Sequence, residues 1–122
     1  MDSKALMQVY LEEVAVKGRF ELIEQIAHPD MVDEANQVFG GPPGRAGLVA
    51  HVKGFRRHIH DPALNIHRIV AATDQVMAWW SFNGIHAGPW LNQPPTNKPI
   101  TGTVFSFFEL DEGLIRRYRL WL

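Results

Sequence analysis

Near residue 62 the spacing of apolar side chains changes from helical to alternating, and it does not change back. Before that point Leu6, Val9, Tyr10, Val14 and Val16 fall on roughly one face of a helix over residues 3–17. Ser3 is placed to cap its start and Gly18 to stop it. Phe20, Leu22, Ile23 and Ile26 fit a second, shorter helix over 20–27. It ends at His28-Pro29, because the residue before a proline is pushed out of the helical region. The Gly40-Gly41-Pro42-Pro43-Gly44 turn opens a third helix, in which Leu48, Val49, Val52 and Phe55 recur at helical spacing. After Asp61-Pro62 the period is two, and residues 64–72, 76–85, 100–110 and 114–122 read as four strands. Thr73-Asp74-Gln75 joins the first two and Asp111-Glu112-Gly113 the last two. Helices first and strands afterwards predict an α+β fold, the helices lying on one face of an antiparallel sheet. With 122 residues and no linker, repeat or low-complexity tract, one domain over 1–122 is expected.

Composition narrows the function. Lys and Arg number 12 against 13 Asp and Glu, so there is no basic surface to neutralise phosphates and nucleic acid is not an expected partner. Without cysteine there is no disulfide framework, thiolate nucleophile or thiolate metal site. The acid-bearing start lacks the unbroken apolar core of a signal peptide or membrane span, so a cytoplasmic, soluble protein with no membrane partner is expected. His58, His60, Asp61 and His67 do not offer metal-ligand spacing, since residues two apart diverge on a helix, and no metal is expected. The Gly40–Gly44 turn is no phosphate loop: it lacks a Lys-Ser/Thr ending, and its prolines remove N–H donors.

Alternation assigns faces. Val76, Ala78, Trp80, Phe82, Gly84 and His86 share the more apolar side of their strand and are expected to face the helices, which turns His86 inward at the strand's end. In the next strand Val104, Ser106 and Phe108 share the inward face, and Phe105 and Phe107 the other. Trp79, Phe105 and Phe107 leave the outer face half aromatic, so a homodimer covering that face is expected.

Three stretches carry a family likeness: GIHAGPWLNQPPTNKPITG at 84–102, FFELDEGLI at 107–115 and HPDMVDEANQVFGGPPGRAGLVAHVKGFR at 28–56. Together they resemble the SnoaL-like polyketide cyclases of the nuclear-transport-factor-2-like superfamily. Members commonly read G-x-H-x-G, then P-P-T-G-K before the third strand and D-G-K-I in the last hairpin. The resemblance runs over about the whole chain. It implies a cone, with three N-terminal helices wrapped by a strongly curved, mostly antiparallel sheet and a pocket between them. It also implies a small enzyme that needs no cofactor and applies side-chain acid/base chemistry to a hydrophobic polyketide- or terpenoid-like substrate, as a cyclase or isomerase/hydrolase. The alternative on this scaffold is a non-catalytic small-molecule-binding or dimerisation module. Two positions depart from the pattern. The family's D-H-N is Asp33-Glu34-Ala35 here, and the acid that cyclases carry in the last strand is absent from Ile115-Arg116-Arg117-Tyr118-Arg119.

Within such a pocket His86 is a candidate proton shuttle, its tautomer set by Glu34, by Asp33 or by a carbonyl of the Pro94-Pro95 turn. A strand-end histidine bonded to a loop carbonyl is the plainer alternative. Asp33 and Glu34 stand at the expected mouth, where a carboxylate desolvated by aromatic neighbours rises toward neutrality and serves as a base. Glu34 occupies the family's histidine position; a solvated or capping acid is the alternative for both. Tyr118 stands in for the missing acid as a donor to a carbonyl or enolate oxygen. Tyr10, Trp80, Phe82, Phe108 and Trp90 form the apolar wall and Ser106 lines it, unless core packing alone accounts for them.

Overall fold

Asp2, rather than Ser3, starts the first helix. Its carboxylate accepts the Ala5 amide at 2.7 Å and caps α1, Ser3–Gln8. The helix continues without a break into a wider π-helical segment, Val9–Val16, that sets Tyr10, Leu11 and Val14 in the core. It stops at Gly18, whose φ of 73° lets the chain reverse. Arg56 donates to the terminal carbonyls of Ala15 and Val16, which would otherwise lack partners. The expected second helix is a short 3-10 turn, Phe20–Leu22, running into α2, Ile23–Ile26.

Directly after α2 the chain forms a strand that no alternation announces: β1, Ala27–Asp33. Its end caps a further short helix, α3, Glu34–Val38, and then comes α4, Arg45–His58. The helical segments are therefore four rather than three. The last of them stops at His58, because Ile59 already opens β2, Ile59–Ala71. Pro62 is tolerated there because the strand lies at the sheet's edge and its register slips between His60 and Ala63. Three strands complete the chain: β3, Gln75–His86; β4, Pro99–Asp111; and β5, Leu114–Trp121.

The structure, a computed structural model, describes all 122 residues. The sheet is curved and unclosed, in the order β1-β5-β4-β3-β2. Every neighbouring pair is antiparallel except β1 with β5, which is parallel. At the β4–β5 turn Glu112 and Gly113 both take positive φ, 51° and 78°, as the twist of a two-residue hairpin demands. No helix is long and apolar enough to cross a membrane.

The inner face is the one alternation selects, with Val76, Ala78, Trp80, Phe82 and His86 all buried on β3, and Val104, Ser106 and Phe108 on β4. Register then lines residues up across the strands. Val76, Phe108, Tyr118 and Asp33 form one row, from β3 through β4 and β5 to β1. Further along, Phe82 faces Gly102, where any Cβ would press into the Phe82 ring. On the outer face Trp79 and Phe105 stay exposed and stack with ring planes 6° apart.

Candidate active site

The row through Tyr118 puts the last residue of β1, Asp33, against the helices. Its carboxylate is used twice. One oxygen accepts the Asn36 amide at 3.1 Å and caps α3; the other lies 2.6 Å from His51 Nδ1. A carboxylate only accepts, so His51 Nδ1 carries the hydrogen of this bond. His51 comes from α4, within the stripe of Leu48, Val52 and Phe55, and its ring lies over Tyr118 at 5.5 Å and 20°. The Asp33 side chain is 1% exposed and that of His51 21%. No protein group bonds His51 Nε2, which leaves that nitrogen as the position where a proton can be taken or returned.

Beside this pair the hydroxyl of Tyr118 lies 2.8 Å from Ser106 Oγ, which also accepts the Trp80 indole N–H at 3.0 Å. Burial pushes the Tyr118 pKa well up, and the hydrogen bonds to Ser106 and Tyr10 offset only part of that rise. Tyr10 is pushed up as well, first by burial and then by the charges of Tyr118 and Asp33. Both phenols are therefore neutral donors. Tyr10, Phe108 and Tyr118 pack edge to face, with centroids 4.9 to 5.5 Å apart. Tyr118 is thus a neutral donor, but its hydroxyl is engaged by Ser106 rather than open.

Glu34 behaves opposite to expectation. It is half exposed and accepts from Arg117 at 3.0 Å and Arg119 at 2.5 Å, while Arg119 also reaches Glu109 at 2.8 Å. Desolvation is the largest single influence on its pKa and raises it. The two guanidinium hydrogen bonds and charges together outweigh that and hold the carboxyl below its ordinary value. The cause is strand parity: Arg117 and Arg119 point away from Tyr118's side, toward the start of α3. Glu34 is an ion-pair anchor rather than a base.

His86 points inward as alternation requires, yet neither Asp33 nor Glu34 holds it. Its Nδ1 lies 3.2 Å from Thr96 Oγ1, just past the Pro94-Pro95 turn. The acids cannot reach because Asp33 belongs to the row of Val76, near the start of β3, whereas His86 is that strand's last residue. An open cleft of about 570 Å³ runs past His86, Phe82, Trp90 and Thr96. Phe55 packs edge-on against Trp80, Phe82 and Trp90 at this end. The fold thus brings Asp33 and Tyr118 to His51, with Tyr10, Phe108 and Ser106 against Tyr118 and Trp80 bonded to Ser106, while His86, Phe82 and Trp90 line the cleft. No three His, Asp or Glu side chains come together as a metal centre would need.

Residues 5–122 match the family model of SnoaL-like polyketide cyclases. The chain belongs to this family. Nogalonic acid methyl ester cyclase of Streptomyces nogalater is 28% identical to it over 107 residues, 85% of this chain and 78% of that one. TsrD from Streptomyces laurentii shares the fold with a TM-score of 0.84 at 19% identity, covering 99% of this chain and 90% of that one. A SnoaL-like polyketide cyclase from Agrobacterium tumefaciens str. C58 does so at 0.82 and 14%, covering 99% and 92%. For a SnoaL-like chain without an acid in its last strand, His51 is the residue that sequence reasoning passed over. A signal was there: between Leu48 and Val52 a histidine interrupts a buried stripe at helical spacing.

Proposed function

We propose that this SnoaL-like chain is a cofactor-independent acid/base enzyme, of cyclase or isomerase type, acting on a hydrophobic polyketide- or terpenoid-like molecule. The single observation that carries the reading is the 2.6 Å bond between buried Asp33 and half-buried His51, with Nε2 left free. In this scheme Nε2 takes a proton from a carbon flanked by carbonyls. The C–H bond breaks, its electron pair stays on the substrate as an enolate, and Asp33 stabilises the imidazolium through Nδ1–H. When the enolate carbon adds to a second carbonyl, the same Nε2 returns the proton to the alkoxide. General acid–base catalysis by one positioned histidine is worth roughly 10²–10⁴-fold in rate. Nogalonic acid methyl ester, named for the Streptomyces nogalater relative, is the first substrate to assay, with ring closure followed chromatographically and no cofactor added.

A second reading, a binding module, draws on a separate observation. The cleft at the other end of β3 offers one titratable side chain, His86, among apolar and hydroxyl groups. Saturable binding of the ester without turnover would favour that reading over catalysis.

A further inference from the structure

On its β5 side, β4 is covered only from Phe105, which faces Trp121, to Asp111, which faces Leu114. The strand begins earlier, at Pro99, and from there to Val104 it pairs with β3 alone. Backbone donors and acceptors that point the other way along this stretch have no strand beside them. The cleft of about 570 Å³ lies against the same stretch, and every residue from Pro99 to Thr103 lines it. Successive side chains of a strand point to opposite faces, so a cleft that touches all of them follows the strand's edge.

The two outer edges of the sheet are blunted in the ways that discourage further pairing. β1 contains Pro29, and its register slips between Ala27 and Val32. β2 contains Pro62 and slips twice, between His60 and Ala63 and between Ile66 and Arg68. Ile100 to Val104 has none of these features: no proline, no charge, and an unbroken register with β3. An edge left so regular is a template for one more strand.

Its sequence fits a copy of itself. Ile-Thr-Gly-Thr-Val reads nearly the same in both directions. Laid antiparallel on a second copy about Gly102, Ile100 meets Val104, Thr101 meets Thr103, and Gly102 meets Gly102. These are β-branched and Thr–Thr cross-strand pairs, which favour association. Charge agrees, because no Asp, Glu, Lys or Arg lines the cleft and Ile100 to Val104 carries none. Area argues for a folded copy rather than a short peptide. A paired stretch of about 17 Å falls short by itself of the roughly 800 Å² per partner that a stable dimer buries. Exposed Leu91, Phe105, Trp121 and Leu122 adjoin the edge, and two copies contribute them twice. Leu122 stands beyond β5 outside any strand and turns aside for the outermost pair.

We infer that the free edge of β4 is an interface between two copies of this chain, joined by antiparallel pairing of residues 100–104 about a two-fold axis at Gly102. Such a contact closes at two copies. It runs through backbone bonds at an edge, unlike the dimer that the sequence led us to expect over the outer face of Trp79, Phe105 and Phe107. It uses neither Asp33 nor His51, so it stands or falls apart from the proposed reaction.

Sedimentation of the wild type over a concentration series should show a dimer that dissociates on dilution. Thr101 and Thr103 are exposed in the single chain and face each other across the proposed axis. Thr101→Lys with Thr103→Lys sets lysine against lysine twice and should weaken the dimer about tenfold or more. Thr101→Glu with Thr103→Glu should do the same. Mixed in equal amounts, the two variants should associate again, since each contact then sets a lysine against a glutamate. Circular dichroism confirms the folds. Should either variant not fold, hydrogen exchange of the wild type decides the point. Amides within 100–104 should exchange more slowly as protein concentration rises, and those of β1 and β2 should not change. A wild type that stays monomeric at millimolar concentration, a dimer indifferent to the paired lysines, a mixture that stays monomeric, or exchange at 100–104 independent of concentration would each overturn the inference.

Discussion

Asp33 holds His51 at 2.6 Å with one carboxylate oxygen while the other caps α3 through the Asn36 amide. The two duties can be separated by mutation. Asn at position 33 still offers an oxygen to the Asn36 amide, but places an NH2 where His51 Nδ1–H needs an acceptor. Asp33→Asn is therefore expected to keep most of the stability and to lower turnover roughly 10²-fold, the scale of a lost acid–base partner. Asp33→Ala loses the cap as well and should unfold about 0.5–2 kcal/mol more easily in denaturant. Asp33→Asn with wild-type kinetics would reduce Asp33 to a cap.

Alkali provides a second test. The chain has 2 tyrosines, Tyr10 and Tyr118, both buried and both with raised pKa values. The fold favours their neutral forms, so the stability they contribute is fully present below the unfolded value near 10.0 and is lost as pH climbs above it. Tyrosinate absorbance should stay flat through that value in native protein and rise only together with unfolding. A rise at pH 10 with the fold intact would contradict the burial of both rings.

Acid tests the opposite sign at Glu34. Its folded pKa lies below the ordinary value of 4.5, because Arg117 and Arg119 favour the charged form more than burial disfavours it. The stability it contributes is present above that value and disappears as pH falls through the lowered folded one. The pair is partly exposed, so the effect is small. Melting curves should place Glu34→Gln slightly below wild type at neutral pH, with the gap closing in acid. A gap that is constant with pH would mean the ion pairs contribute nothing.

Packing at Phe82 can be tested without touching any polar group. Ala at position 102 pushes its methyl into the Phe82 ring, which cannot swing aside because Phe55, Trp80 and Trp90 surround it. Gly102→Ala should cost about 1–3 kcal/mol in denaturant unfolding, as overpacking does. A neutral effect would mean the ring is free to move.

Much of the fold was legible in the sequence because alternation is a strong signal when one face of a sheet is buried. It placed Trp80, Phe82, Ser106 and His86 inward and Trp79 and Phe105 outward, as found. Asn97, standing where the family has glycine, takes the left-handed φ of 57°. β1 was not legible, since Pro29 and the exposed Asp30 break any alternation and its partner, β5, lies more than 80 residues away. The pairing of Glu34 was hidden for a related reason. Arg117 and Arg119 were visible as a missing acid, but only the parallel β1–β5 register brings α3 beside them. His51 interrupts the apolar stripe of α4 and so was open to notice, but nothing local announces its carboxylate partner 18 residues upstream.

The most direct measurement compares kcat for ring closure of nogalonic acid methyl ester by wild-type protein and by His51→Gln. Gln keeps the approximate volume and a hydrogen bond to Asp33 but cannot carry the proton. With an unchanged circular dichroism spectrum, kcat is expected to fall roughly 10²-fold or more. Wild-type kcat in His51→Gln would contradict the assignment of His51 as the group that moves the proton.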